Sequence, residues 1–278
     1  MIRFTKMQGI GNDFVMVDVI RDGAISSDLP AVARQVNDRR FGVGGDGLIL
    51  VEKGDSAPFR MRMFNPDGSE SEMCGNGIRC FARLLQDHGH LTEESVDVET
   101  GAGILGLNLV GSNRVRVDMG LARLTRGEIG MAGPADEKFI DQPVDSDYRG
   151  TAVSMGNPHL VIFVEDVSKI ELETIGPKLE HHDAFPKRVN VHFIQVVDRR
   201  HLIQRTWERG AGITLACGTG ACASAVAAVV TGRTERTVEI KLPGGLLEIE
   251  YLEDGRVVMT GPAETVFEGE FAVPRALP

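Results

Sequence analysis

The chain has 278 residues, of which 42% are hydrophobic and 25% charged, a composition typical of a globular protein with a substantial core. Its 30 Lys and Arg against 40 Asp and Glu leave a formal net charge of −10, so we expect no nucleic-acid partner. The apolar runs are shorter than the ~18 residues of a membrane span. Residues 1–6 lack the apolar stretch of a signal peptide. These features predict a cytoplasmic protein without a membrane partner.

The first part of the chain predicts a helix and then a strand. Residues 29–38 have a helical pattern with a proline in the first turn, and Ser27 or Asp28 is the expected cap. Residues 48–51 form a short apolar run that is typical of a strand.

A second helix is predicted after Cys74. Its pattern ends at Gly89, and residues 96–99 and 114–117 then alternate between apolar and polar side chains as strands do. The helix is expected to bury one face, which is formed by Ile78, Phe81, Ala82 and Leu85.

The second part of the chain repeats this order. Residues 168–175 predict a helix that ends at the Gly-Pro pair at 176–177, and residues 193–196 predict a strand. Residues 221–230 are apolar on nearly all sides, so this helix should be surrounded by other elements. Residues 238–240 predict a further strand.

A Cys-Gly-x-Gly motif occurs twice, at residues 74–77 and 217–220, with the two cysteines 143 residues apart. Each motif is followed by a helical pattern that stops at a glycine fifteen positions after the cysteine, which is Gly89 in one copy and Gly232 in the other. Internal repeats of this kind indicate two copies of one structural unit.

Other polar residues keep nearly the same spacing to the two cysteines. Asn12 precedes the first cysteine by 62 residues, and Asn157 precedes the second by 60. Asn65 and Glu208 each lie nine residues before their cysteine. We therefore predict an α+β chain built of two similar lobes.

Two glycine-rich segments match the GxGxxG pattern of dinucleotide-binding loops, at residues 42–47 and 101–106. In such a loop the third glycine must open a helix after a strand. Both segments instead lead into strand-like runs, and the chain has no Walker loop or G-x-S-x-G motif. The sequence therefore predicts no nucleotide cofactor.

The four cysteines are Cys74, Cys80, Cys217 and Cys222. Zinc sites favour matched, closely spaced cysteine pairs. Here the pairs are C-x5-C and C-x4-C, and both run into helical patterns, so we expect no metal site. For Cys80 and Cys222 we expect ordinary buried thiols, because free cysteine is among the most buried residue types.

Cys74 and Cys217 have a different setting, because each directly precedes a predicted helix. Unpaired amides and the helix dipole favour an anion there and should lower the pKa of the thiol below ~8.5. The following glycines allow backbone N–H groups to approach a carboxylate. Two such sites suggest one acid and one base on opposite faces of a carbon, which would invert a stereocentre without a cofactor.

Six stretches of the sequence match a known family. The chain resembles the diaminopimelate epimerase family along essentially its whole length. The matching stretches are residues 6–14 (KMQGIGNDF), 64–70 (FNPDGSE), 73–80 (MCGNGIRC), 154–159 (SMGNPH), 188–190 (RVN) and 208–220 (ERGAG through ACGTG).

This resemblance implies the interconversion of LL- and meso-2,6-diaminopimelate without pyridoxal phosphate, in lysine and peptidoglycan precursor synthesis. It also implies a homodimer and two pseudo-symmetric lobes, each a β-barrel-like wrap of strands around a central helix. We place the first lobe at residues 1–118 plus 263–278 and the second at residues 119–262.

The resemblance also implies roles for individual residues. Cys74 and Cys217 are expected to transfer the proton, and His159 and Glu208 to tune the cysteines or hold the reacting amine. In one departure, Gly47 stands where some members carry Gln. The expected substrate contacts are Asn12, Asn65, Gly75, Asn76, Asn157, Asn190, Glu208, Arg209, Gly218 and Thr219.

Four alternatives remain at this point. A related two-cysteine proline or hydroxyproline epimerase typically has His at the position of Asn76, so Asn76 argues against it. A related isomerase branch lacks the cysteine pair, whereas both cysteines are present here. A thiol hydrolase or peroxidase could use Cys217 with His159, but it would leave the Cys74 copy unexplained. A small-molecule or metal-binding module would hold zinc through all four cysteines.

Overall fold

The computed structural model describes residues 1–25 and 28–272, and the proposed cap Ser27 lies outside these residues. The chain divides into two compact units. Unit 1 comprises Met1–Val117 with Gly261–Pro278, and unit 2 comprises Asp118–Thr260. In the described part of the chain, no helix has both the length and the apolar character needed to cross a membrane.

Unit 1 is a set of strands with one long helix and two shorter ones. Its strands are β1 (Ile2–Gly9), β2 (Asn12–Asp18), β3 (Gly47–Lys53), β4 (Phe59–Phe64), β5 (Glu70–Ser71), β6 (Ser95–Thr100), β7 (Gly103–Val110), the first part of β8 (Arg114–Leu121) and β18 (Glu264–Phe271). Its helices are α1 (Val19–Asp22), α2 (Leu29–Val36) and α3 (Gly75–Asp87).

Unit 2 has a similar set of elements. Its strands are the rest of β8, β9 (Gln142–Pro143), β10 (Arg149–Ser154), β11 (Pro158–Val164), β12 (Asn190–Val196), β13 (His201–Glu208), β14 (Gly212–Ile213), β15 (Thr237–Leu242), β16 (Gly245–Tyr251) and most of β17 (Arg256–Pro262). Its helices are α4 (Arg126–Ile129), α5 (Leu172–Glu180) and α6 (Gly218–Val230), with a 3-10 turn at Val167–Lys169.

The strand pairing follows one plan in both units. In unit 1, β1–β2 is antiparallel, β2–β3 parallel, β3–β4 antiparallel, β4–β6 parallel and β6–β7 antiparallel. In unit 2, the same sequence of pairings joins β10, β11, β12, β13, β15 and β16. The order of parallel and antiparallel steps is therefore duplicated, which gives residue-by-residue equivalence between the units.

A central helix packs against the inner side of each wrap of strands. The buried side of α3 contacts β1, β2, β3 and β7, and α6 contacts β10, β11, β12, β15 and β16. Both helices have 13 residues and are followed by a glycine with positive φ, Gly89 at 75° and Gly232 at 72°. These helices and the α+β class with two similar halves confirm the predictions from the sequence.

The outer side of each wrap is covered by a shorter helix, which explains why the inner strands are apolar on both faces. In unit 1, α2 packs against alternate residues of β2 and β3. The predicted end of α2 at residue 38 is slightly late, because the helix stops at Val36 and Asn37 caps it.

The predicted helix 168–175 of unit 2 is wrong in its bounds, because α5 begins at Leu172 and continues through Pro177. The glycine before this proline does not end the helix. A side chain at Gly176 would lie 2.5 Å from the ring of Trp207, so close packing requires the glycine. Glycine also lacks the Cβ that would clash with the following proline ring in a helix.

Both GxGxxG segments lead into strands, as the sequence predicts. The first precedes β3, and the second spans the turn between β6 and β7. Neither opens a helix, so neither has the structure of a dinucleotide-binding loop.

Candidate active site

Cys74 is the N-cap residue of α3 and has extended backbone angles, with φ −137° and ψ 118°. Its side chain is half-buried. The thiol lies 3.8 Å from Oδ1 of Asn12, and the same oxygen accepts a hydrogen bond from Nδ2 of Asn76 at 3.0 Å. Two of the predicted substrate contacts therefore lie beside the first predicted catalytic thiol.

The orientation of the Asn12 amide is fixed by a carboxylate on the other side. Nδ2 of Asn12 donates to Oδ2 of Asp46, which also accepts from the backbone N–H of Asp13 at 3.0 Å. The other oxygen of Asp46 accepts from Arg39 at 2.7 Å. Because a carboxylate only accepts, the carbonyl oxygen of Asn12 must point toward the thiol.

Arg79 is fully buried one turn into α3 and was not predicted as a site residue. Its Nη1 donates to Oδ1 of Asn76 and to the backbone oxygen of Gly75, both at 3.0 Å. Its Nε donates to the oxygen of Pro262 at 3.2 Å. Arg79 therefore turns the amino group of Asn76 toward Asn12. The helical spacing alone places Arg79 in an apolar helix and gives no sign of this role.

Cys217 is the N-cap residue of α6 and is only 4% exposed. Its sulfur lies 3.8 Å from Oγ1 of Thr219. Burial and the negative charge of Glu208 raise the pKa of the Cys217 thiol well above its usual value. The expectation of a lowered pKa is therefore wrong for Cys217, because desolvation and a like charge outweigh the helix start. Thr214 donates its hydroxyl to Glu208 and holds that carboxylate.

Two histidines lie in the strands under α6. His159 and His192 are both 0% exposed. Burial lowers the pKa of His192 to about 3, and burial together with the neighbouring histidine lowers the pKa of His159 well below 6.5. Both imidazoles are therefore neutral at pH 7, and each carries a single ring proton.

The hydrogen-bond partners fix where those protons lie. Nε2 of His159 contacts Oδ1 of Asn157 at 2.9 Å, and this oxygen can only accept. Nδ1 of His159 then accepts from Nε2 of His192 at 2.9 Å. Nδ1 of His192 accepts in turn from the hydroxyl of Thr206 at 2.9 Å. This polarised chain leaves the amino group of Asn157 as the donor that a ligand can use.

The strand register shows what replaces these histidines in unit 1. His159 pairs with Asn190 as Phe14 pairs with Gly47. Two residues further along, His192 corresponds to Ile49. We call these pairs of strand residues the floor of the cysteine above them. The floor of Cys74 is Phe14 and Ile49, and the floor of Cys217 is His159 and His192. His192 was missed from the sequence, because a single histidine in an apolar strand has no distinctive pattern.

The last glycine of each Cys-Gly-x-Gly motif makes room for the floor residues. A side chain at Gly77 would lie 2.7 Å from Ile49, and one at Gly220 would lie 2.2 Å from the ring of His192. The Cys-Gly-x-Gly motif therefore permits close packing of the helix start on the strand below. This requirement explains why the third motif residue varies while the fourth is glycine in both copies.

The remaining predicted contacts form separate groups. Nδ2 of Asn190 donates to the oxygen of Pro158 at 3.0 Å, and its Oδ1 accepts from the backbone N–H of Arg209 at 3.0 Å. The exposed guanidinium of Arg209 donates to the oxygen of Lys187 at 3.1 Å. Asn65 donates to Ser69 at 3.0 Å within a turn. Gly75 and Gly218 begin α3 and α6.

Gly47 occupies the position in unit 1 that corresponds to Asn190 in unit 2. An added Cβ there would lie 2.7 Å from the methyl group of Met63, a flexible side chain. Unit 1 therefore offers no amide at this position.

Two groups of possible metal donors occur among the described residues. The ring nitrogens of His159 and His192 and the sulfur of Cys217 all lie within 4.8 Å of one another. So do the donor atoms of Asp18, His88 and His90. Each group contains at most one cysteine, so neither is the four-cysteine zinc site considered from the sequence.

Comparisons with known proteins agree with this arrangement. A diaminopimelate epimerase from Moorella thermoacetica is 52% identical over 278 residues, covering 97% of this chain and 99% of that protein. A solved structure of a phenazine biosynthesis protein of the PhzF family from Bacillus anthracis has a TM-score of 0.70 at 18% identity, covering 98% of this chain and 99% of that one.

A hydroxyproline epimerase from Agrobacterium vitis, solved with trans-4-hydroxy-L-proline bound, has a TM-score of 0.64 at 14% identity, covering 96% of this chain and 91% of that one. Such low identities show a shared fold only. The sequence profile described as diaminopimelate epimerase matches residues 4–125 and 151–266, most of both units. The chain therefore belongs to the diaminopimelate epimerase family.

Proposed function

We propose that this protein is an isomerase that interconverts LL- and meso-2,6-diaminopimelate, with Cys74 and Cys217 as its acid–base pair. The observation that carries the mechanism is that the equivalent residue of each unit is a cysteine at the start of the central helix. The surroundings of the two thiols differ, and a high pKa keeps Cys217 protonated. One thiol is thus suited to give a proton while the other takes one.

In the direction from LL to meso, Cys74 as thiolate removes the α-hydrogen of an L centre, and the C–H electron pair stays on the α-carbon. The Cys217 thiol then donates its proton to the opposite face of that carbon. The products are the D centre, a Cys74 thiol and a Cys217 thiolate, so no electrons or atoms leave the system. The reverse reaction starts from this second state.

The weakly acidic α-hydrogen needs help from the protein. Backbone N–H groups at the starts of α3 and α6 are suited to bind the carboxylate next to the reacting carbon. As charge develops there in the transition state, these fixed dipoles stabilise it. Glu208, held by Thr214, is suited to accept from the reacting ammonium group.

The distal ammonium and carboxylate of the substrate need a polar site of their own. We assign this role to Asn65, Asn157, Asn190 and Arg209. Arg209 is exposed, and its planar guanidinium matches a carboxylate bidentately. A fixed polar site can reject analogues without the distal groups by large factors. Asn76, which is tied to Asn12 and Arg79, is unlike the histidine typical of proline epimerases.

The reaction needs no redox chemistry, so we propose that the enzyme works without a cofactor. Activity should survive dialysis against a chelator in the presence of a reductant. Loss of activity on chelation, with recovery on adding metal, would contradict this expectation.

We further propose a cytoplasmic homodimer that serves lysine and peptidoglycan precursor synthesis. Two apolar side chains of β18, Val266 and Phe267, are 56% and 48% exposed and provide a surface that a second copy could cover. Light scattering at micromolar concentration should give twice the chain mass. A Val266→Glu, Phe267→Glu variant should give the monomer mass if this surface is the interface.

The decisive experiment is to incubate the reduced protein with LL-diaminopimelate in deuterated water. We expect meso product that carries deuterium at the inverted α-carbon. L-proline and trans-4-hydroxy-L-proline serve as parallel substrates and should show no inversion. Inversion of either imino acid without turnover of diaminopimelate would establish the alternative function instead.

A further inference from the structure

The polar floor of Cys217 and the thiol itself together have the donor set of a metal site. Its three groups are two neutral imidazoles and one thiol, all buried in unit 2. Nitrogen and sulfur donors of this kind suit Zn²⁺, which binds His nitrogen at about 2.0–2.1 Å and Cys sulfur at about 2.3 Å. In a tetrahedral site, two such nitrogens lie about 3.3 Å apart.

The geometry needs only a small change. The facing nitrogens, Nδ1 of His159 and Nε2 of His192, are 2.9 Å apart. Separating the nitrogens by a few tenths of an ångström and tilting the two rings, so that both lone pairs face the ion, would therefore admit it. The sulfur of Cys217 already lies within 4.8 Å of one ring nitrogen of each histidine.

The outward nitrogens of the two rings also have oxygen partners, which is the usual outer shell of metal-binding histidines. Nε2 of His159 contacts the amide oxygen of Asn157, and Nδ1 of His192 contacts the hydroxyl of Thr206. Within the described residues, Oε1 of Gln204 is buried without a hydrogen-bond partner, while its Nε2 lies 3.3 Å from Nδ1 of His192. Half a turn of this amide would place an acceptor beside His192.

We propose that Cys217, His159 and His192 form a binding site for Zn²⁺ or a similar borderline divalent cation, with the fourth position left to water or Glu208. Binding moves the ring proton of His192 from Nε2 to Nδ1, and this N–H then donates a hydrogen bond to the hydroxyl oxygen of Thr206 or to the rotated amide oxygen of Gln204. The thiol of Cys217 loses its proton to solvent. The net exchange is one Zn²⁺ bound for one H⁺ released, with no change of oxidation state.

This site belongs to unit 2 alone. The floor of Cys74 consists of Phe14 and Ile49, which have no donor atoms. The chain thus contains its own control, a second cysteine at an equivalent helix start that lacks the two imidazoles.

Occupancy would remove Cys217 from proton transfer, so the ion acts as a reversible inhibitor. This consequence rests on the proposed function, whereas binding itself does not. The site would make the enzyme sensitive to free zinc through His192, a residue that neither gives nor takes a proton in the proposed reaction.

The test is a zinc titration of reduced, chelator-treated protein against a chromophoric chelator. We expect one tightly held Zn²⁺ per chain, with affinity at least about 100-fold weaker in Cys217→Ser and in His192→Ile, since removing a ligand should cost at least as much as losing an outer-shell partner. Cys74→Ser should bind as the wild type does. His90→Gln removes one donor of the second group, Asp18, His88 and His90, so any zinc lost in this variant was bound there and not at Cys217.

Co²⁺ provides an optical readout of the same site. We expect a thiolate-to-cobalt absorption band that is present in the wild type and Cys74→Ser and absent in Cys217→Ser. Ile is already accommodated at the equivalent position 49, and His192→Gln replaces His192→Ile if that variant does not fold. Zinc affinity in either Cys217→Ser or the His192 variant within tenfold of the wild type would overturn the proposal.

Inhibition is measured separately, as the rate of epimerisation at increasing free Zn²⁺. If zinc binds as expected but the protein has no epimerase activity, the proposed function fails and the metal site stands. If the protein epimerises and no variant changes zinc affinity, the metal site fails alone.

Discussion

Beneath Cys74 the strands present Phe14 and Ile49, whereas beneath Cys217 the equivalent positions hold His159 and His192. The backbone plan is the same in both units, and both cysteines cap a 13-residue helix. The thiols nevertheless differ, since Cys74 is half-buried and Cys217 is almost completely buried. A duplicated scaffold can therefore place two equivalent thiols in different surroundings.

The two floors also differ in energetic cost. Apolar side chains fill a buried layer without unsatisfied groups, whereas buried polar groups need a complete set of partners. Unit 2 supplies partners for both imidazoles through a chain of hydrogen bonds from Thr206 to Asn157. Because unit 1 shows that an apolar floor fits the same scaffold, the histidines are not needed to build the fold.

The strongest test of the comparison removes each thiol in turn. Cys74→Ala and Cys217→Ala should each lower the rate of inversion by at least about 10²–10⁴-fold, the usual contribution of a general acid or base. Each variant should still exchange the α-hydrogen of one stereoisomer, through the surviving thiol, and the two variants should select opposite stereoisomers. Deuterium uptake followed by NMR measures this. A variant that inverts at a near-normal rate would rule out the two-base mechanism.

The second test concerns the guanidinium group of Arg209, which unit 2 has and unit 1 lacks. Counted back from its cysteine, the position of Arg209 in unit 2 is that of Pro66 in unit 1. Arg209→Lys keeps the charge but loses the planar fork. We expect kcat/KM for diaminopimelate to fall by more than about tenfold, corresponding to the ~1.5–3 kcal/mol of a charge-assisted hydrogen bond. The exposed Arg199→Lys serves as the matched control, and an unchanged kcat/KM in Arg209→Lys would remove Arg209 from the site.

The third test addresses the proton affinity of Cys217. Because Glu208 raises the pKa of this thiol, Glu208→Gln should lower that pKa and increase the thiolate fraction at pH 8. We expect alkylation of Cys217 by iodoacetamide to become faster by up to about tenfold, while Cys74 is unaffected, since one pKa unit is a tenfold change in ionisation. Peptide mapping by mass spectrometry measures both rates. Slower alkylation of Cys217 would contradict the assigned effect of Glu208.

The fourth test exchanges the floors. Gln204 and Thr206 correspond to Met61 and Met63 in register, so a variant with His159→Phe, His192→Ile, Gln204→Met and Thr206→Met reproduces the layer of unit 1. In the wild type, the pKa values of His159 and His192 lie below 6.5 in the folded state, so below that pH the unfolded chain binds more protons than the folded chain does. Stability is therefore lost as the pH falls from about 6.5 toward the folded value of His192, about 3.

Each buried histidine contributes at most about 1.4 kcal/mol of this loss per pH unit. Between pH 6 and 5, urea unfolding should show the wild type losing about 1–3 kcal/mol more than the exchanged variant. Parallel pH curves for the two proteins would show that the histidines do not carry the acid sensitivity.

Much of this arrangement follows from local sequence patterns. The central helices, their glycine stops and the duplicated order are visible because period, cap and spacing are local properties. The pairing of Cys74 with Asn12 needs long-range strand register, yet the nearly constant offset of Asn12 and Asn157 to the two cysteines indicates it. By contrast, α5 runs through a Gly-Pro pair because Trp207, distant in sequence, packs on Gly176.

The parts that were missed depend on burial. Arg79 and His192 lie within otherwise apolar segments, and only the folded structure shows that each is fully enclosed with polar partners. The predicted low pKa of Cys217 failed for the same reason. A helix start favours a thiolate, but the penalty of burying it beside Glu208 is a tertiary effect that no local pattern records.

The antiparallel pairing of β1 with β18, from Ile2 opposite Phe271 onward, has a consequence for the order of folding. Unit 2 is continuous in the chain, whereas β1 of unit 1 pairs with β2 on one side and lacks its second neighbour until β18 is available. The two units should therefore mature in the order opposite to their appearance in the sequence, with the strands of unit 2 protected first. Pulse-labelled hydrogen exchange during refolding should show protection in β11 and β12 before β1, and protection of β1 first would exclude this order.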